Sequence, residues 1–261
     1  MLAAERKKLI IEFVTQQKMA SVPELAEKFD VHEATIRRDL AEIEKEGYLR
    51  RIHGGVVLEE EVSFEPSFSE RSTERIQEKR EIGKLAAAYI QKGDNIILDS
   101  GTTTLHIARN ITHLTNITVI TNDINIASEL RNCKGIKVIV TGGVLYHESF
   151  MLNGLVTNDM LRNVHVHKAF IGTPAIHAKY GITHFDEQLV SAKACMIEAA
   201  KEVIVVADHT KIGGVSLHTV SPIKNIDILI TGSEVSDSQI AKFQDAGIEV
   251  VIAQEKADHQ I

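Results

Sequence analysis

The chain has 261 residues, of which 44% are hydrophobic and 25% are charged, so it has an ordinary globular composition and enough length for one large and one small domain. No apolar run approaches the roughly 18 residues of a membrane helix, and the first residues become amphipathic instead of forming a signal-peptide core. We therefore expect a cytoplasmic protein without a membrane partner. Cys133 and Cys195 lack CxxC spacing, which argues against a disulfide framework or a cysteine-rich metal site.

The formal net charge of -7 is unevenly distributed along the chain. Residues 1–58 contain ten basic and ten acidic residues, whereas the remainder contains 19 basic and 26 acidic residues. Binding to DNA would therefore have to come from a local basic face of the first segment. The acidic remainder would oppose non-specific attachment to a polyanion.

Three helices are predicted at the start of the chain. Apolar residues recur at helical spacing through residues 1–17, which predicts an amphipathic helix. Ser21 and Glu24 form a capping-box pattern that begins a second helix, ending near Phe29. A three-residue turn then leads into a third helix over residues 33–46. Two helices joined by such a turn indicate a helix-turn-helix.

The third helix has one apolar face and one face suited to DNA. Counting at about 100 degrees per residue places Ile36, Leu40 and Ile43 on the apolar face. The opposite face combines small residues, which permit close approach, with cations that suit phosphates and guanine edges. Its members are Ala34, Arg38, Ala41 and Lys45, flanked by Thr35 and Arg37. An isolated arginine pair is more often an ordinary solvated helix face, so the next segment decides the interpretation.

That segment predicts a two-stranded wing. Apolar and polar residues alternate through residues 48–57 on both sides of a double glycine. Arg50, Arg51 and His53 lie beside Gly54, where the backbone can approach a phosphate without obstruction by side chains.

These motifs resemble the N-terminal signature of the DeoR family of bacterial sugar-metabolism repressors. The resemblance is carried by Thr35-Ile-Arg-Arg-Asp-Leu40, Glu44, Gly47, Leu49, Arg51 and His53-Gly-Gly55. The family usually has Ser at the position of His32. We therefore expect residues 1–58 to be a winged helix-turn-helix that binds double-stranded operator DNA. The residues expected to contact DNA are Thr35, Arg37, Arg38, Lys45, Arg50, Arg51, His53 and Gly54.

Residues 59–74 are first acidic and then contain Ser and Pro, and they show no sustained hydrophobic period. This composition predicts a linker over residues 59–74, followed by a second domain over residues 75–261. A helix is predicted over residues 75–90. Seven apolar runs typical of buried parallel strands follow, alternating with helical patterns, and they predict an α/β domain. These runs are residues 95–98, 117–120, 136–140, 169–171, 203–207, 226–230 and 248–252.

Four turns after these strands carry hydroxyl groups, glycines or lysine: residues 99–104, 121–123, 141–143 and 208–211. Ligands of open parallel sheets bind beyond the carboxyl ends of the strands. Any one of these turns alone is more often a plain helix cap. Together they predict a ligand site at one edge of the sheet, where the first turn offers backbone N–H groups to a phosphate.

Residues 79–231 resemble the sensor domain of the DeoR family, which is similar to the ribose-5-phosphate isomerase and CoA-transferase fold. The resemblance is carried by Asp99, Gly101-Thr-Thr103, Thr121-Asn122, Gly142-Gly143, Gly154, Ala169-Phe170, Gly172, Lys193, Asp208 and Lys211. It implies that residues 100–104 hold the phosphate of a sugar phosphate, with Lys211 as a second cationic contact. It also implies roles for Asp99 and Asn122 on sugar hydroxyls. The expected ligand residues are Asp99, Ser100, Gly101, Thr102, Thr103, Thr104, Asn122, Gly142, Gly143, Lys193, Asp208 and Lys211.

The two resemblances imply a repressor of a carbohydrate-utilisation operon that a phosphorylated sugar or a related phosphorylated metabolite releases from the operator. We expect a homo-oligomer, a dimer or a tetramer, that presents several winged helices to repeated half-sites. We expect no cofactor. The twelve histidines include no HExxH pair, and His165 and His167 have no acidic cluster nearby, so we expect no metal site.

Two alternatives remain open at this stage. A sugar-phosphate isomerase needs a carboxylate base, and residues 170–176 contain none, although Asp186 and Glu187 are further candidates. We expect no catalytic activity. The second alternative is an interaction module that binds no ligand. Its melting temperature would not change across a panel of sugar phosphates.

Overall fold

The computed structural model describes residues 3–17, 19–45, 49–52, 55–58 and 66–254. The chain divides into two compact units, residues 1–60 and residues 61–261. Among the described helices, none has both the length and the apolar character needed to cross a membrane.

The first unit contains three helices and a small antiparallel sheet. Its elements are α1 (Ala3–Gln17), β1 (Met19–Ser21), α2 (Val22–Phe29), α3 (Glu33–Lys45), β2 (Leu49–Ile52) and β3 (Gly55–Leu58). The sheet has the strand order β1-β3-β2, so the strand that precedes α2 closes onto the predicted wing. The capping box at the start of α2 is present, because the Ser21 hydroxyl accepts from the Glu24 N–H and the Glu24 carboxylate accepts from the Ser21 N–H. The predicted end of the third helix, at residues 46 and 47, lies outside the described residues.

The second unit has three layers. Its elements are α4 (Phe68–Thr73), α5 (Ile76–Ala87), β4 (Asn95–Leu98), α6 (Thr102–Ile111), β5 (Ile117–Thr121), α7 (Ile124–Leu130), β6 (Ile136–Val140), β7 (Val144–Tyr146), β8 (Met151–Asn153), α8 (Leu155–Arg162), β9 (Val166–Gly172), β10 (Ala175–His177), β11 (Gly181–His184), α9 (Glu187–Glu198), β12 (Ala200–Val206), β13 (His218–Ser221), β14 (Ile228–Gly232), α10 (Asp237–Asp245) and β15 (Glu249–Ala253). Short 3-10 turns cover His209–Lys211 and Ile223–Asn225.

The seven predicted apolar runs form a single parallel sheet, in the order β15-β14-β12-β9-β4-β5-β6. Helices α5, α6 and α7 pack against one face of the sheet, and α8, α9 and α10 pack against the other. The central strands are therefore covered on both faces. The predicted α/β class is confirmed. All carboxyl ends of the seven strands meet at one edge, which positions the turns that follow them.

Part of the predicted linker is instead a helix of the second unit. Ser67 caps α4 through a capping box with Glu70, and Phe68 is buried against the core below α6 and α7. The ring of Phe68 makes an edge-to-face contact with Phe150, with centroids 5.6 Å apart. The prediction was wrong for residues 66–74 because a six-residue helix is too short to show a helical period, although the Ser67 and Glu70 spacing signals its start.

Candidate functional site

Helix α3 exposes the arginines that the sequence analysis selected. Ile36, Leu40 and Ile43 are buried, whereas Arg37 and Arg38 are exposed on the other side of the helix. Arg37 donates to the Glu33 carboxylate over 2.6 Å, which leaves Arg38 as the exposed arginine without an ion pair among the described residues.

The start of α3 is capped, although His32 stands at the position where the DeoR family usually has Ser. The Nδ1 atom of His32 accepts a hydrogen bond from the Ala34 N–H at 3.2 Å, and the His32 carbonyl accepts from the Thr35 N–H at 2.8 Å. An imidazole nitrogen therefore performs the capping function of a hydroxyl oxygen. Thr35, half-buried in the first turn, is positioned by this cap.

A buried ion pair fixes α3 against α1. The guanidinium of Arg6 donates to both carboxylate oxygens of Asp39, over 2.6 and 3.2 Å, and the two residues are only 8% and 4% exposed. This bidentate geometry sets the rotation of α3 about its own axis. It therefore determines which side chains α3 presents to solvent.

The wing is a hairpin of β2 and β3 in which Ile52 pairs with Gly55. A Cβ atom on Gly55 would lie 2.4 Å from the Ala20 carbonyl oxygen, so only glycine permits β1 to pair here. The backbone of Arg50 and Arg51 lies in β2. The rest of the predicted DNA contact lies outside the described part of the chain: the side chains of Lys45, Arg50 and Arg51, and all of residues 53 and 54.

One cavity of the second unit, the first cavity, opens at the carboxyl edge of the sheet and encloses about 640 Å³, including its mouth. Its predicted lining residues are Ser100, Gly101, Thr102, Thr103, Lys193, Asp208 and Lys211. The structure adds residues that the sequence analysis missed: Arg71, Glu74, Lys79, Thr173 and His184.

The turn from Ser100 to Thr103 forms one wall of the first cavity. Gly101 precedes the first residue of α6, so the N–H groups of the first turn of this helix have no acceptor within the helix. The Ser100 N–H donates to Asn122 Oδ1 at 3.1 Å and the Ser100 hydroxyl donates to Asp123 Oδ2 at 2.8 Å. These bonds fix the turn from behind, and Thr102 and Thr103 of the first turn line the cavity.

Lys193 and Asp99 form a buried ion pair beside this turn. The Lys193 ammonium donates to Asp99 Oδ2 and to the Gly172 carbonyl oxygen, the latter over 2.9 Å. Asp99 is 1% exposed and also accepts from the Gly172 N–H at 3.1 Å. Burial raises the pKa of Asp99, while the Lys193 ammonium opposes the increase. Asp99 therefore supports Lys193 instead of lining the cavity.

Two other predicted ligand residues, Asn122 and Thr104, lie behind the cavity wall. Asn122 is 1% exposed, and its Nδ2 donates to the Leu152 carbonyl oxygen at 3.2 Å, so its amide is occupied by protein groups. Thr104 is fully buried and its hydroxyl donates to the Gly101 carbonyl. The expected contact of Asn122 with a sugar hydroxyl is wrong in this structure, because the side chain is used to support the turn at residue 100.

Gly142 and Gly143 do not line the first cavity. Both have positive φ angles, +72 and +123 degrees. A Cβ atom on Gly143 would lie 2.4 Å from the Thr157 hydroxyl, and the Gly142 carbonyl accepts from that hydroxyl at 2.6 Å. The two glycines therefore permit close packing between the end of β6 and α8, and a ligand contact is not their role in this structure.

The cations that the sequence analysis missed come from α4 and α5. Lys79 is 4% exposed and its ammonium donates to the Arg71 carbonyl oxygen. Burial lowers the pKa of Lys79, and the nearby Asp208 carboxylate opposes this change. With Lys193 and Lys211, these residues make the cavity rich in cations. Both Arg71 and Lys79 precede the first strand of the sheet, and no local sequence motif connects them with the turns that follow the strands.

Two ionisable clusters border the cavity without offering catalytic groups. Burial lowers the pKa of His184 to about 3, with Lys193 as the next cause, so this imidazole is neutral. Glu78, Asp208 and His209 lie close enough to hold a metal ion, but Glu78 already accepts from the His209 N–H at 2.7 Å and pairs with its ring at 3.0 Å. The Asp208 carboxylate accepts from the Thr210 N–H at 3.2 Å and from the Thr210 hydroxyl.

Asp186, the carboxylate considered as an isomerase base, caps α9 by accepting from the Gln188 N–H at 2.9 Å. Neither Asp186 nor Glu187 lines the first cavity.

Two protein-family models match the chain. A model described as the DeoR C terminal sensor domain matches residues 74–233, and a model described as the DeoR-like helix-turn-helix domain matches residues 6–62. The chain belongs to the DeoR family. The family resemblance found from the sequence motifs is thus confirmed, and the protein is a DNA-binding transcriptional regulator.

Full-length relatives carry regulator names. The chain is 34% identical over 254 residues to the HTH-type transcriptional regulator GolR of Listeria innocua, which covers 97% of this chain and 100% of that protein. It is 33% identical over 255 residues to the HTH-type transcriptional repressor GlcR of Bacillus subtilis, covering 98% of each. Ribose 5 phosphate isomerase A from Neisseria gonorrhoeae is similar over 53% of each chain, with 13% identity and a TM-score of 0.37. The curated relatives of this DeoR-family chain are regulators and repressors, not enzymes.

Proposed function

We propose that this DeoR-family regulator represses a carbohydrate-utilisation operon and leaves its operator when a phosphorylated sugar, or a related phosphorylated metabolite, binds in the first cavity. The observation that carries the proposal is the meeting of a helix N-terminus with several cations in that cavity. A phosphate suits both, because backbone N–H groups and the helix dipole favour an anion and lysine supplies a compact positive charge.

The phosphate would lie at the turn of residues 100–103, with Lys211 and the newly found Lys79 as cationic contacts. Lys79 supports this role because burial disfavours its charged form and lowers its pKa, and a bound anion would stabilise that charged form. Asp208 accepts from the Thr210 N–H and thereby holds the 3-10 turn that carries Lys211. Asp99 and Asn122 act as positioning residues, through Lys193 and through the Ser100 N–H.

The sugar portion would extend toward Lys193, Thr173 and His184. These side chains supply donors and acceptors at separate points of the wall, as recognition of several hydroxyl groups requires. The Nδ1 atom of His184 accepts from the Asp186 N–H at 3.0 Å, so the neutral imidazole can donate one hydrogen bond to the sugar through Nε2 without adding charge.

DNA contact would come from α3 and the wing. Arg38 is exposed and free to reach a base edge, while Thr35 and Arg37 lie on the flanks of the same face. Lys45 and the wing residues Arg50, Arg51, His53 and Gly54 stay predictions for contacts with the phosphate backbone.

A homo-oligomer, a dimer or a tetramer, would present two or more α3 helices to repeated half-sites. An apolar patch around Gly142 supports self-association: Val144, Leu155 and Val156 are 68%, 79% and 62% exposed. Val144 pairs with Asn153 in the hairpin of β7 and β8, and Leu155 and Val156 follow Asn153 closely at the start of α8. Burying such side chains contributes roughly 1.5 to 3 kcal/mol each when burial is complete.

A thermal-shift titration of the full chain with sugar phosphates and the corresponding free sugars tests the ligand class. Wild type should be stabilised by one phosphorylated sugar and by none of the unphosphorylated sugars, because only the phosphate engages the cations. Lys211→Ala and Thr102→Ala should lose the shift, whereas Lys224→Ala, a change outside the cavity, should retain it. No shift with any phosphorylated compound would favour an interaction module without a ligand.

A further inference from the structure

The first cavity contains a group of polar side chains apart from the turn proposed for the phosphate: His184 of β11, Lys193 of α9 and Arg71 of α4. His184 is 1% exposed and Lys193 is 6% exposed, so both side chains are screened from bulk solvent. In the proposed function, the sugar portion of the ligand extends toward them. Their hydrogen bonds and charges indicate what that end of the ligand carries.

The hydrogen bonds of His184 fix which of its ring nitrogens carries the proton. Nδ1 accepts from the Asp186 N–H at 3.0 Å, so the proton of the neutral ring is on Nε2. None of the described residues accepts a hydrogen bond from Nε2. His184 can therefore only donate to a ligand, and it requires an oxygen atom with a free lone pair.

Lys193 has one further N–H group to offer in the same cavity. An ammonium has three donors, and Asp99 Oδ2 and the Gly172 carbonyl oxygen accept two of them. Together, His184 and Lys193 present two donors to a ligand. A carboxylate accepts both with its two oxygens, whereas a hydroxyl group brings a proton of its own for which this pair has no acceptor.

Positive charge acts on the His184 ring. Burial, followed by the charges of Lys193 and Arg71, lowers the pKa of His184 to about 3. His218, which pairs with His184 across β11 and β13, acts in the same direction. An environment that disfavours an imidazolium favours an anion beside the neutral ring.

The two carboxylates that line the first cavity act on a different cation. Glu74 and Asp208 both oppose the decrease that burial causes in the pKa of Lys79. Arg71 lowers the pKa of both Lys79 and His184, so its charge lies within reach of both groups. The cavity thus has two groups of cations, which suit a ligand with an anion at each end.

We infer that the first cavity takes a phosphorylated sugar acid, and that His184 is the specificity-determining residue for its carboxylate, with Lys193 as the second donor. This inference rests on the proposed function, because it assigns the phosphate to the turn at residues 100–103 and to Lys211. The phosphate end supplies affinity for the whole ligand class, and the His184 end selects the acid from the corresponding alcohol.

Isothermal titration of the full chain with matched pairs of ligands tests the inference. Each pair differs only at the end distant from the phosphate: gluconate 6-phosphate against glucitol 6-phosphate, and ribonate 5-phosphate against ribitol 5-phosphate. In at least one pair, wild type should bind the acid about ten- to hundredfold more tightly than the alcohol, as expected for a hydrogen bond to a charged group. The acids gluconate and ribonate, which lack the phosphate, should bind more weakly than either phosphorylated partner.

His184→Asn should remove this preference. The asparagine amide oxygen can replace Nδ1 as acceptor for the Asp186 N–H, but no N–H group remains at the position of Nε2. Affinity for the acid phosphate should fall about ten- to hundredfold, while affinity for the alcohol phosphate should stay within about twofold, since a purely structural defect would weaken both. The matched control His218→Asn changes a histidine on the neighbouring strand that does not line the cavity, and it should keep the preference.

Arg71→Gln keeps the test decisive if circular dichroism shows that His184→Asn does not fold. It removes a positive charge beside His184 from a half-buried residue, and it should reduce the preference for the acid as well.

Two results would overturn the inference and leave the proposed function in place. Equal affinity of wild type for the acid and the alcohol of every pair would show that the cavity does not recognise a carboxylate. An equal loss of both ligands in His184→Asn would place the phosphate beside His184. In both cases Lys211→Ala should still abolish binding. Absence of binding by every phosphorylated compound would refute the proposed function itself, and the inference with it.

Discussion

Replacing Lys193 by Met removes the ammonium from the buried Asp99 carboxylate while it keeps most of the side chain's volume. Asp99 is 1% exposed and Lys193 is 6% exposed, so solvent cannot take over the role of the cation. Breaking a buried ion pair by removing one partner costs about 3 to 5 kcal/mol. We expect Lys193→Met to lower the free energy of unfolding of the second unit by this amount at pH 7.5.

The loss should shrink as the pH falls. Burial raises the pKa of Asp99, and removal of Lys193 takes away the main group that opposes the increase. Above the folded-state pKa, the carboxylate is ionised in both states and the full penalty applies. As the pH falls through that pKa, the folded state binds one proton more than the unfolded state, so stability rises by up to about 1.4 kcal/mol per pH unit until the ordinary pKa near 4 is reached.

Urea unfolding at several values between pH 5 and pH 8 measures this slope. The matched controls are Lys201→Met, which removes an exposed lysine, and the double variant Asp99→Asn with Lys193→Met, which has no carboxylate to titrate. The difference in unfolding free energy between variant and wild type should change with pH for Lys193→Met and should not change with pH for either control. The same slope in the double variant would refute the assignment to Asp99.

Further predictions concern the first unit and self-association. Asp39→Ala should lower the free energy of unfolding by about 3 to 5 kcal/mol, because it leaves Arg6 buried and unpaired. In urea unfolding, the double variant Asp39→Ala with Arg6→Met should recover most of that loss. Equal losses for the single and the double variant would contradict this. In salt-dependent anisotropy titrations, Arg38→Ala should weaken specific binding most, whereas Arg51→Ala should weaken all sequences and reduce the salt slope by about one; the reverse pattern would exchange their roles. Leu155→Glu should dissociate the oligomer in sedimentation velocity, and an unchanged mass would place the interface elsewhere.

The elements that the sequence predicted correctly are those with a long or strong hydrophobic pattern. The central strands of the parallel sheet are covered on both faces, and all seven strands contain an apolar run. The hairpin of β7 and β8 and the small sheet of β10, β11 and β13 were not predicted, because these short strands contain no comparable apolar run. Helix α4 was missed for the same reason.

The first cavity was only partly predictable. The turn at residues 100–103 lies where the strand-end rule places it. Lys79 and Arg71 reach the same cavity from helices that precede the whole sheet, so no spacing in the sequence links them to it. Asn122 follows a strand as the rule requires, but its amide is consumed by backbone groups, and only coordinates reveal such a partner.

Operator release is the most direct test of the central claim. The operator is first selected from a random duplex pool, and its affinity is then measured by fluorescence anisotropy with and without the sugar phosphate that gave the largest thermal shift. We predict that saturating sugar phosphate weakens operator binding of wild type by about 5- to 150-fold and leaves Lys211→Ala unaffected. Identical operator affinity of the wild-type protein with and without demonstrably bound sugar phosphate would contradict the account.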